Sequence, residues 1–422
     1  MMNSVKLPQY IWHDQREVEF PLPDNWKITV HNIAGSNKPA MRPDEIKAAL
    51  ASPIGTLPLR EMARDKKEAV ILFDDMTRST RPYEIIPFIL EELADAGITD
   101  DRIRFIAAVG NHQAMDRSAM VKKLGEDIVA RYSVFNHCPF LHTDYIGTSS
   151  FGTKASINSE VLRCNLKIAI GSVFPHVLYG FSGGGKIIVP GVASYDTVKS
   201  HHQEIHENWQ REQRAKGVQP KGTTGNPPNT DAREISAMVG VDLLINCLPN
   251  GLGETAAIFA GALEPSYQAA VKEAVKHYQA VNTGDNDIVI ANAFVKASEY
   301  GMAGGTIQAI NPQGGSIVFL ANSPTGQVVH YLFDRLGKPV HGEDSHGPGI
   351  APHIKNYIIY TEYPEAKMME HFVGNEKALM TSDWTRVIER LKQSHGAGAK
   401  VAVYPNADIQ YFASAADTNA IP

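Results

Sequence analysis

The stretch Glu68 to Asp75, EAVILFDD, decides the fold of this chain. It is a continuous apolar run that ends in two carboxylates. A run of this length without alternating polar residues is typical of a strand buried on both faces of a parallel sheet. Polar side chains at the carboxyl end of such a strand often form a functional site. The stretch therefore predicts an α/β fold with chemistry at one edge of its sheet.

The residues that follow complete a strand, helix, strand unit. Pro82 suits the first turn of a helix, and apolar residues recur at helical spacing from Ile85 to Leu93 until Gly97 ends the pattern. The apolar run Ile103 to Val109 then predicts the next strand. Further strands are predicted at Leu166 to Gly171, Val241 to Cys247, Asp287 to Ala291, Ser316 to Leu320, Tyr357 to Tyr360 and Lys400 to Tyr404. A helix near Glu264 to Ala280 separates the two groups of strands, and Ser382 is expected to cap another that ends at Gly396.

The length of 422 residues exceeds what one hydrophobic core usually supports. We therefore expect an α/β protein of two domains, residues 1–275 and 276–422, each a mostly parallel sheet flanked by helices. The site is expected in the cleft between them, and the last ~15 residues are expected to return to the first domain. Residues 210–230 are polar and rich in Gly and Pro, which predicts a long loop.

Composition excludes several classes of function. The chain carries 40 basic and 46 acidic residues, a net charge of -6, and no run of Lys or Arg, so we expect no nucleic-acid partner. Three cysteines are too few for a disulfide framework or a paired-cysteine zinc site, which favours a reducing compartment. The first residues lack a signal-peptide pattern, and no window reaches about 18 uninterrupted apolar residues. We expect a cytoplasmic protein without a membrane segment.

A Gly-rich stretch, Gly180 to Lys186 (GFSGGGK), resembles a phosphate-binding loop only in part. It matches the first seven positions of G-x-x-x-x-G-K, but Ile187 stands where a magnesium-binding hydroxyl is required. Pro190 would also interrupt the helix that such a loop opens. The stretch therefore does not favour an ATPase. It does offer a backbone that a ligand can approach closely, and Lys186 can supply a charge or an amine nucleophile.

Two predicted strand ends carry polar side chains that would meet at one edge of the sheet. Asp74 to Arg78 follows the first strand, and its amides, hydroxyl and guanidinium could hold a phosphate or a sugar hydroxyl. An ordinary turn with a capping Asp is the alternative. Gly110 to His112 follows the next strand, so His112 is a candidate general acid or base, with a purely structural imidazole as the alternative.

His202 and His206 are four residues apart and would share a helix face, as two zinc ligands do. The zinc-protease order H-E-x-x-H is absent, and exposed histidines on a polar helix are more often solvated. A zinc hydrolase that uses these histidines with a carboxylate such as Glu204 stays open as an alternative. A non-catalytic nucleotide or metal carrier built on the Gly-rich stretch is the other.

Several separated elements together resemble the lactate racemase family, whose members bind a nickel-pincer nucleotide. The matching elements are Asp75-x-Thr77-Arg78, Gly110-Asn111-His112, His176, Ser182 to Lys186 continuing through Pro190-Gly191, and His202. The similarity extends over the chain and is strongest from about residue 65 to 210. It implies an isomerase, a racemase or epimerase that inverts C2 of a 2-hydroxy acid by reversible hydride transfer, which avoids the dianion that direct proton abstraction would create.

The resemblance also implies a role for each matching residue. Lys186 would tether the cofactor, Ni(II)-pyridinium-3,5-bisthiocarboxylic acid mononucleotide, through a thioamide, and His202 would be the protein ligand of nickel. His112 and His176 would be the paired proton acceptors and donors. The remaining cofactor contacts would be Asp75, Thr77, Arg78, Ser182, Gly183 and Gly184. Arg78 would also contact the substrate.

One departure from the family pattern concerns the substrate. Lactate enzymes carry a Gln followed three residues later by a Lys, where a gap-free count places Glu299 and Met302; Lys296 lies nearby but off that register. Glu299 would place an anion where the lactate enzymes have a cation. This anion disfavours a second carboxylate on the substrate at that position and suits hydroxyl donors, so we expect a sugar acid or another non-lactate hydroxy acid. The expected partners are this small molecule, the cofactor-biosynthesis enzymes and further copies of the chain in a homo-oligomer.

Overall fold

A computed structural model describes residues 3–176, 179–215, 225–332 and 349–412. The strands in these ranges are β1 Asn3–Gln9, β2 Arg16–Leu22, β3 Lys27–Val30, β4 Ala69–Phe73, β5 Ile103–Ala107, β6 Ser133–Asn136, β7 Thr143–Thr148, β8 Lys154–Asn158, β9 Leu166–Ser172, β10 Pro175–His176, β11 Gly180–Phe181, β12 Leu243–Pro249, β13 Thr255–Gly261, β14 Ile288–Asn292, β15 Gly315–Leu320, β16 Ile354–Tyr360, β17 Ala378–Thr381 and β18 Lys400–Tyr404.

The α-helices in the same ranges are α1 Pro43–Ala51, α2 Leu59–Ala63, α3 Ile86–Asp95, α4 Arg117–Leu124, α5 Glu126–Arg131, α6 Ser159–Arg163, α7 Tyr195–Lys199, α8 His206–Ala215, α9 Pro227–Val239, α10 Leu263–His277 and α11 Trp384–Ser394. Shorter 3-10 helices occupy Pro82–Glu84, Asp100–Arg102, Gly184–Ile187 and Ala366–Met369, a kinked one spans Ala297–Ala309, and a π-helical turn spans Ser200–Ile205.

Two six-stranded sheets organise the chain. The first has the strand order β13-β12-β9-β4-β5-β6, parallel except for the edge strand β13. The second has the order β17-β16-β15-β14-β18-β3 and is parallel throughout. The expected α/β fold with mostly parallel sheets flanked by helices is confirmed.

The strand β4 shows why the sequence folds this way. All five of its residues are buried, since helices cover both faces of the sheet. Ile86, Ile89 and Leu93 of α3 form one apolar stripe and pack against the sheet in a core that includes Ile71 and Phe73. Val70 and Leu72 of β4 point into the opposite core.

Strand order reverses once in each sheet. In the first sheet the chain runs outward from β4 through β5 to β6 and then returns to β9 on the other side of β4. In the second it runs from β14 through β15 and β16 to β17 and returns to β18 beside β14. Loops diverge at such switch points and leave a crevice at the carboxyl ends of the strands, where ligands of open α/β sheets bind.

The N-terminal residues contribute a strand to the second sheet. β3 pairs with β18, so Lys27–Val30 belongs to the second sheet although the sequence assigned it to residues 1–275. The pairing arises because β18 leaves an edge that a further parallel strand can extend. The C-terminal Tyr411 exchanges backbone hydrogen bonds with Tyr278 and Ala280, while residues 413–422 lie outside the described ranges. The division into two domains otherwise stays a prediction.

Two further predictions were wrong in detail. Residues 210–215 continue α8 and residues 227–230 open α9, so helices occupy much of the predicted loop, and residues 216–224 lie outside the described ranges. Asp383, not Ser382, caps α11, because its carboxylate accepts a hydrogen bond from the amide of Thr385 at 2.9 Å. Among the described residues, we find no helix with the length and apolar character needed to cross a bilayer.

Candidate active site

A cavity of about 350 Å³ lies at the switch point of the first sheet, and residues that follow β14 of the second sheet help to line it. Its walls include all four residues expected to carry the chemistry, together with Asp75, Arg78, Ser182, Gly183, Gly184, Glu299 and Met302. Those four are His112, His176, Lys186 and His202. Thr77 does not line this cavity; it lies behind Asp75 and lines a neighbouring one. The structure therefore brings together nearly all residues that the sequence singled out.

Asp75 and His112 form a carboxylate–imidazole pair in this cavity. His112 Nδ1 lies 2.5 Å from Asp75 Oδ2, and Thr77 donates its backbone N–H and its hydroxyl to the other carboxylate oxygen. Burial raises the pKa of the Asp75 carboxyl, but His112 and Arg78 outweigh it and hold this pKa well below its usual value. Asp75 is therefore ionised and accepts the proton on Nδ1, which leaves Nε2 as the ring nitrogen that can exchange a proton with a ligand.

A buried ion pair holds the turn that carries Asp75. Lys123 Nζ lies 2.8 Å from Asp74 Oδ1 and also donates to the backbone carbonyls of Arg78 and Thr80. The Thr80 hydroxyl donates to the other oxygen of Asp74. Asp74 thus organises the backbone of the turn, as in the alternative of an ordinary turn, while Asp75 faces the cavity. Contact of this turn with a phosphate or a sugar hydroxyl stays a prediction.

Lys186 and His176 are in direct contact on another wall. Lys186 Nζ lies 2.9 Å from His176 Nε2 and 3.9 Å from the centre of the Tyr179 ring. Both side chains are partly exposed. Burial, reinforced by Arg78 and Lys296, holds the pKa of the Lys186 ammonium well below its usual value. Burial and then the Lys186 charge likewise keep the pKa of His176 well below its usual value, which favours a neutral amine beside a neutral imidazole.

The Gly-rich loop packs too closely for side chains. A Cβ on Gly183 would lie 2.6 Å from Val173 Cγ2, one on Gly184 would lie 2.7 Å from the Tyr267 ring, and both residues have positive φ. A Cβ on Gly191 would lie 2.2 Å from the carbonyl oxygen of Ile187. Bare backbone therefore forms this wall of the cavity.

Ser182 anchors the same loop to the end of β9. Its hydroxyl donates to the carbonyl of Ser172 at 3.1 Å and accepts from the amide of Phe174 at 2.9 Å. Gly184 donates its amide to Asn246 Oδ1 at 3.2 Å. The hydroxyl of Ser182 is thus engaged by the backbone, and its expected contact with a cofactor stays a prediction.

His202 lies in the π-helical turn Ser200–Ile205 rather than in a regular α-helix. Its Nδ1 donates to the carbonyl of Val198 at 3.0 Å, which makes Nε2 the unprotonated nitrogen of the neutral ring. Burial, followed by the neighbouring His201, holds the pKa of His202 well below its usual value. A neutral imidazole with a fixed tautomer is the form in which His binds a metal.

The zinc alternative gains no support from this region. His206 contacts Gln210 through Nε2 at 2.8 Å, and Glu204 accepts a hydrogen bond from Ser200 at 2.9 Å. Across the described ranges, no three or more His, Cys, Asp or Glu side chains are placed to hold a metal ion together. The i, i+4 spacing predicted a shared helix face, but the π-helical turn breaks that regular spacing.

Arg78, Glu299 and Lys296 form a charged group that joins the two sheets. Arg78 Nη1 lies 2.8 Å from Glu299 Oε2, and Lys296 Nζ is in contact with the same oxygen. Burial raises the pKa of Glu299, but Lys296 and Arg78 outweigh it and hold this pKa well below its usual value. Lys296 thus places a cation beside Glu299, which the sequence register did not predict. Met302 lies one turn further and supplies an apolar patch to the wall.

Sequence reasoning assigned no role to three residues of this region. His330 lines the cavity with its ring 5.2 Å from that of His112, and Asn111 is buried there with neither side-chain amide atom hydrogen-bonded to another described residue. Tyr179 lies beside Lys186, with its ring stacked on His201 at 5.4 Å. Asn111 could have been found, because it stands between two residues of a recognised element. His330 and Tyr179 carry no pattern of their own and are brought in by tertiary packing.

Comparison with known proteins agrees with this architecture. Residues 13–214 match the family model described as lactate racemase N-terminal domain. The lactate racemase of Thermoanaerobacterium thermosaccharolyticum is 28% identical over 341 residues, which cover 77% of this chain and 76% of that protein. The lactate racemase of Lactiplantibacillus plantarum is 28% identical over 299 residues, 67% of this chain and 66% of that protein.

Two solved structures share the fold. The lactate racemase apoprotein from Thermoanaerobacterium thermosaccharolyticum superposes with a TM-score of 0.72 at 21% identity and covers 98% of this chain and 100% of its own. A protein from Thermotoga maritima superposes with a TM-score of 0.65 at 16% identity over 89% of this chain and 99% of its own. The solved structures define an α/β fold that the chain shares with lactate racemase, and the curated relatives are isomerases by name. The chain is similar to lactate racemases over most of its length.

Proposed function

We propose that this protein is a racemase or epimerase that inverts C2 of a 2-hydroxy acid by reversible hydride transfer, with a nickel-pincer nucleotide attached to Lys186. The observation that carries the proposal is the convergence of His112, His176, Lys186 and His202 on one cavity. These residues come from four separate elements of the chain. Similarity to proteins named lactate racemase supports the same reaction class.

The residues of the cavity fit such a cofactor. Gly183, Gly184 and Gly191 line the cavity with bare backbone, which a flat ring can approach closely, and a Cβ at any of them would clash with the protein itself. Lys186 has no acidic partner among the described residues and offers an amine for covalent attachment. His202 presents a neutral imidazole, and one imidazole suffices where a pincer supplies the remaining ligands of a square-planar Ni(II). When bound, this group would supply a reversible hydride acceptor.

His112 would move the proton of the substrate hydroxyl. Because Asp75 accepts the Nδ1 proton, Nε2 can take a proton from the hydroxyl and the imidazolium that forms is stabilised by the carboxylate. His176 would do the same for the opposite enantiomer, since it lines the same cavity and is held neutral. A planar 2-oxo acid can be reduced from either side, so two bases are required for inversion.

Arg78 and Glu299 would select the substrate. The guanidinium can bind the carboxylate of a 2-hydroxy acid in a bidentate manner while it stays paired with Glu299. Glu299 is ionised and accepts hydrogen bonds only, which favours a substrate with further hydroxyl groups. A second carboxylate would meet this anion at close range. The geometry therefore supports a polyhydroxylated or otherwise non-lactate 2-hydroxy acid.

The proposal is tested on protein co-expressed with the cofactor-making enzymes. Intact mass should show an adduct on Lys186, and one member of a panel of enantiopure hydroxy acids should be converted to its epimer. His112→Ala should abolish conversion and keep the adduct, and His176→Ala should abolish conversion even in molecules that carry the adduct. His142→Asn, at an exposed histidine outside the cavity, should change neither conversion nor the adduct. Little deuterium should enter C2 from heavy water. Absence of the adduct under these conditions, or extensive exchange at C2, would refute the mechanism.

A further inference from the structure

The contact between Lys186 and His176 is not explained by turnover alone. In a loaded enzyme the Lys186 nitrogen would belong to the tether and His176 would face the substrate, so the two would have no reason to bind each other. In the structure Lys186 Nζ and His176 Nε2 are 2.9 Å apart, at hydrogen-bonding distance. The arrangement matches a nucleophile with its base, which is the general signature of an activated side chain.

The surroundings hold this pair in place. His176 lies in β10 and Lys186 in the turn Gly184–Ile187, and the antiparallel pairing of β10 with β11 brings these segments together. Tyr179, in the connection between the two strands, contacts both partners: its ring centre is 3.9 Å from Lys186 Nζ and 5.2 Å from the His176 ring. The stacking of Tyr179 on His201, and the 2.7 Å bond from His201 to Asp231, fix that ring from behind.

We propose that His176 is the general base that activates Lys186 for its own attachment to the cofactor, so that one imidazole serves first in loading and later in turnover. This inference rests on the proposed function, because it takes the thioamide tether as the product. It assigns the loading chemistry to this chain rather than to a separate ligase. It also explains why an amine with no acidic partner within the described ranges lies beside an imidazole.

The step balances without any further reactant. The Lys186 amine forms a bond to the carbon of a thiocarboxylate on the incoming pyridinium nucleotide, and one N–H proton passes to His176 Nε2. His176 returns that proton to the carboxyl oxygen, which leaves as hydroxide while the sulfur stays on the carbon. An amine and a thiocarboxylate thus give a thioamide and hydroxide, with no oxidation or reduction. Once Lys186 is acylated, His176 is released to act on substrate.

The test uses full-length protein without cofactor and the thioacylating reagent (thiobenzoylthio)acetate, which converts an amine to a thioamide and releases a thiol. Peptide mass mapping gives the rate of modification at Lys186 relative to the exposed Lys27 in the same molecules. At neutral pH this ratio should fall about tenfold or more in His176→Gln and His176→Asn. A positioned general base contributes roughly 10²–10⁴-fold to a rate, and an amine whose pKa is already lowered depends on only part of that contribution. Free imidazole should restore part of the rate in His176→Ala.

A second lysine–histidine contact provides the matched control. Lys122 Nζ lies 2.9 Å from His13 Nδ1, away from the Gly-rich loop. His13→Gln removes an imidazole from a lysine in the same way and should leave the Lys186 ratio unchanged. Circular dichroism and the Tm of each variant establish that the fold is retained, and imidazole rescue supplies a readout that a purely structural role would not give.

An unchanged Lys186 ratio in the folded His176 variants, without response to imidazole, would overturn the inference. Co-expression with the cofactor-making enzymes separates this result from failure of the proposed function. If His176→Gln acquires the Lys186 adduct as fast as the unmodified chain, the loading role is wrong and the racemase proposal stands. If Lys186 reactivity depends on His176 but no adduct forms in any variant, the activated pair is correct and the proposed cofactor is wrong.

Discussion

Replacing Asp75 with asparagine tests the base that the proposed reaction assigns to His112. The carboxylate accepts the Nδ1 proton over 2.5 Å and so fixes the tautomer whose Nε2 is basic. An asparagine is close in shape, but its amide nitrogen can only donate. When that nitrogen faces Nδ1, the ring proton moves to Nε2, and His112 no longer accepts a proton from the substrate hydroxyl.

The expected loss follows from the strength of this contact. Asp75 is 6% exposed and its hydrogen bond to His112 is charge-assisted, so water cannot replace it. A positioned general base contributes roughly 10²–10⁴-fold to the rate. Asp75→Asn should therefore lower kcat by about that factor, which corresponds to roughly 3–5 kcal/mol in the barrier. KM should change little, because Arg78 and the other substrate contacts remain.

The assay is epimer formation by loaded enzyme, with intact mass to establish that the Lys186 adduct persists. Asp116→Asn is the matched control, since Asp116 caps α4 through a 2.7 Å bond to Ala119 and lies outside the cavity. That variant should keep its kcat and nearly all of its stability, because asparagine caps a helix about as well as aspartate. A kcat of Asp75→Asn within threefold of the unmodified enzyme would refute the reasoning, and loss of the adduct would show that Asp75 serves the cofactor instead.

Three further predictions address the substrate, the metal and stability. Glu299→Gln leaves Arg78 and Lys296 without their shared anion, so KM for lactate should fall about tenfold while KM for polyhydroxy acids rises. Steady-state kinetics with both substrates checks this, and changes of KM in the same direction for both would contradict it. His202→Ala should lose nickel by elemental analysis and keep the Lys186 adduct by mass, whereas retained nickel would show that His202 is not the ligand. Burial raises the pKa of the Asp408 carboxyl to about 7, so the stability it contributes in protonated form is lost as pH rises through that value. Asp408→Asn should therefore raise the free energy of unfolding by roughly 2–4 kcal/mol near pH 8 and by less than half of that near pH 5, because the loss begins at the unfolded pKa of about 4. An increase of equal size at both pH values would refute the assignment.

The sequence predicted the parts of this site that depend on local pattern. The apolar run of β4 marked a strand that is buried on both faces, and parallel neighbours must end at the same edge of a sheet. That geometric rule alone placed Asp75 near His112. The glycines before Lys186 likewise predicted a stretch of backbone that a ligand can approach closely. The positive φ angles of Gly183 and Gly184 are consistent with that prediction.

Other features depend on tertiary packing and left no local signal. His330 reaches the cavity because the segment around it pairs with Gly110–His112, as in the bridge between His112 and His330. Lys296 contacts Glu299 because the chain bends between them, and Glu299 itself has a non-helical conformation. The count along the sequence aligned only Glu299 and Met302 with the family pattern and left Lys296 out of register. The capping error at α11 has a simpler origin, since Ser382 and Asp383 both suit a helix start.

The charged group between the sheets ties substrate choice to the architecture of the whole chain. Arg78 follows β4 of the first sheet and Glu299 follows β14 of the second, 221 residues apart in sequence, yet they share one hydrogen bond in the cavity. A buried pair of this kind is costly to break from one side, because removal of either partner leaves an uncompensated charge. In the proposed reaction, a substrate carboxylate that binds Arg78 would share the guanidinium with Glu299 and must be compatible with the cation of Lys296 behind it. Selectivity for the acid would therefore depend on how the second sheet presents Glu299, while the proposed proton-transfer residues belong to elements connected to the first sheet.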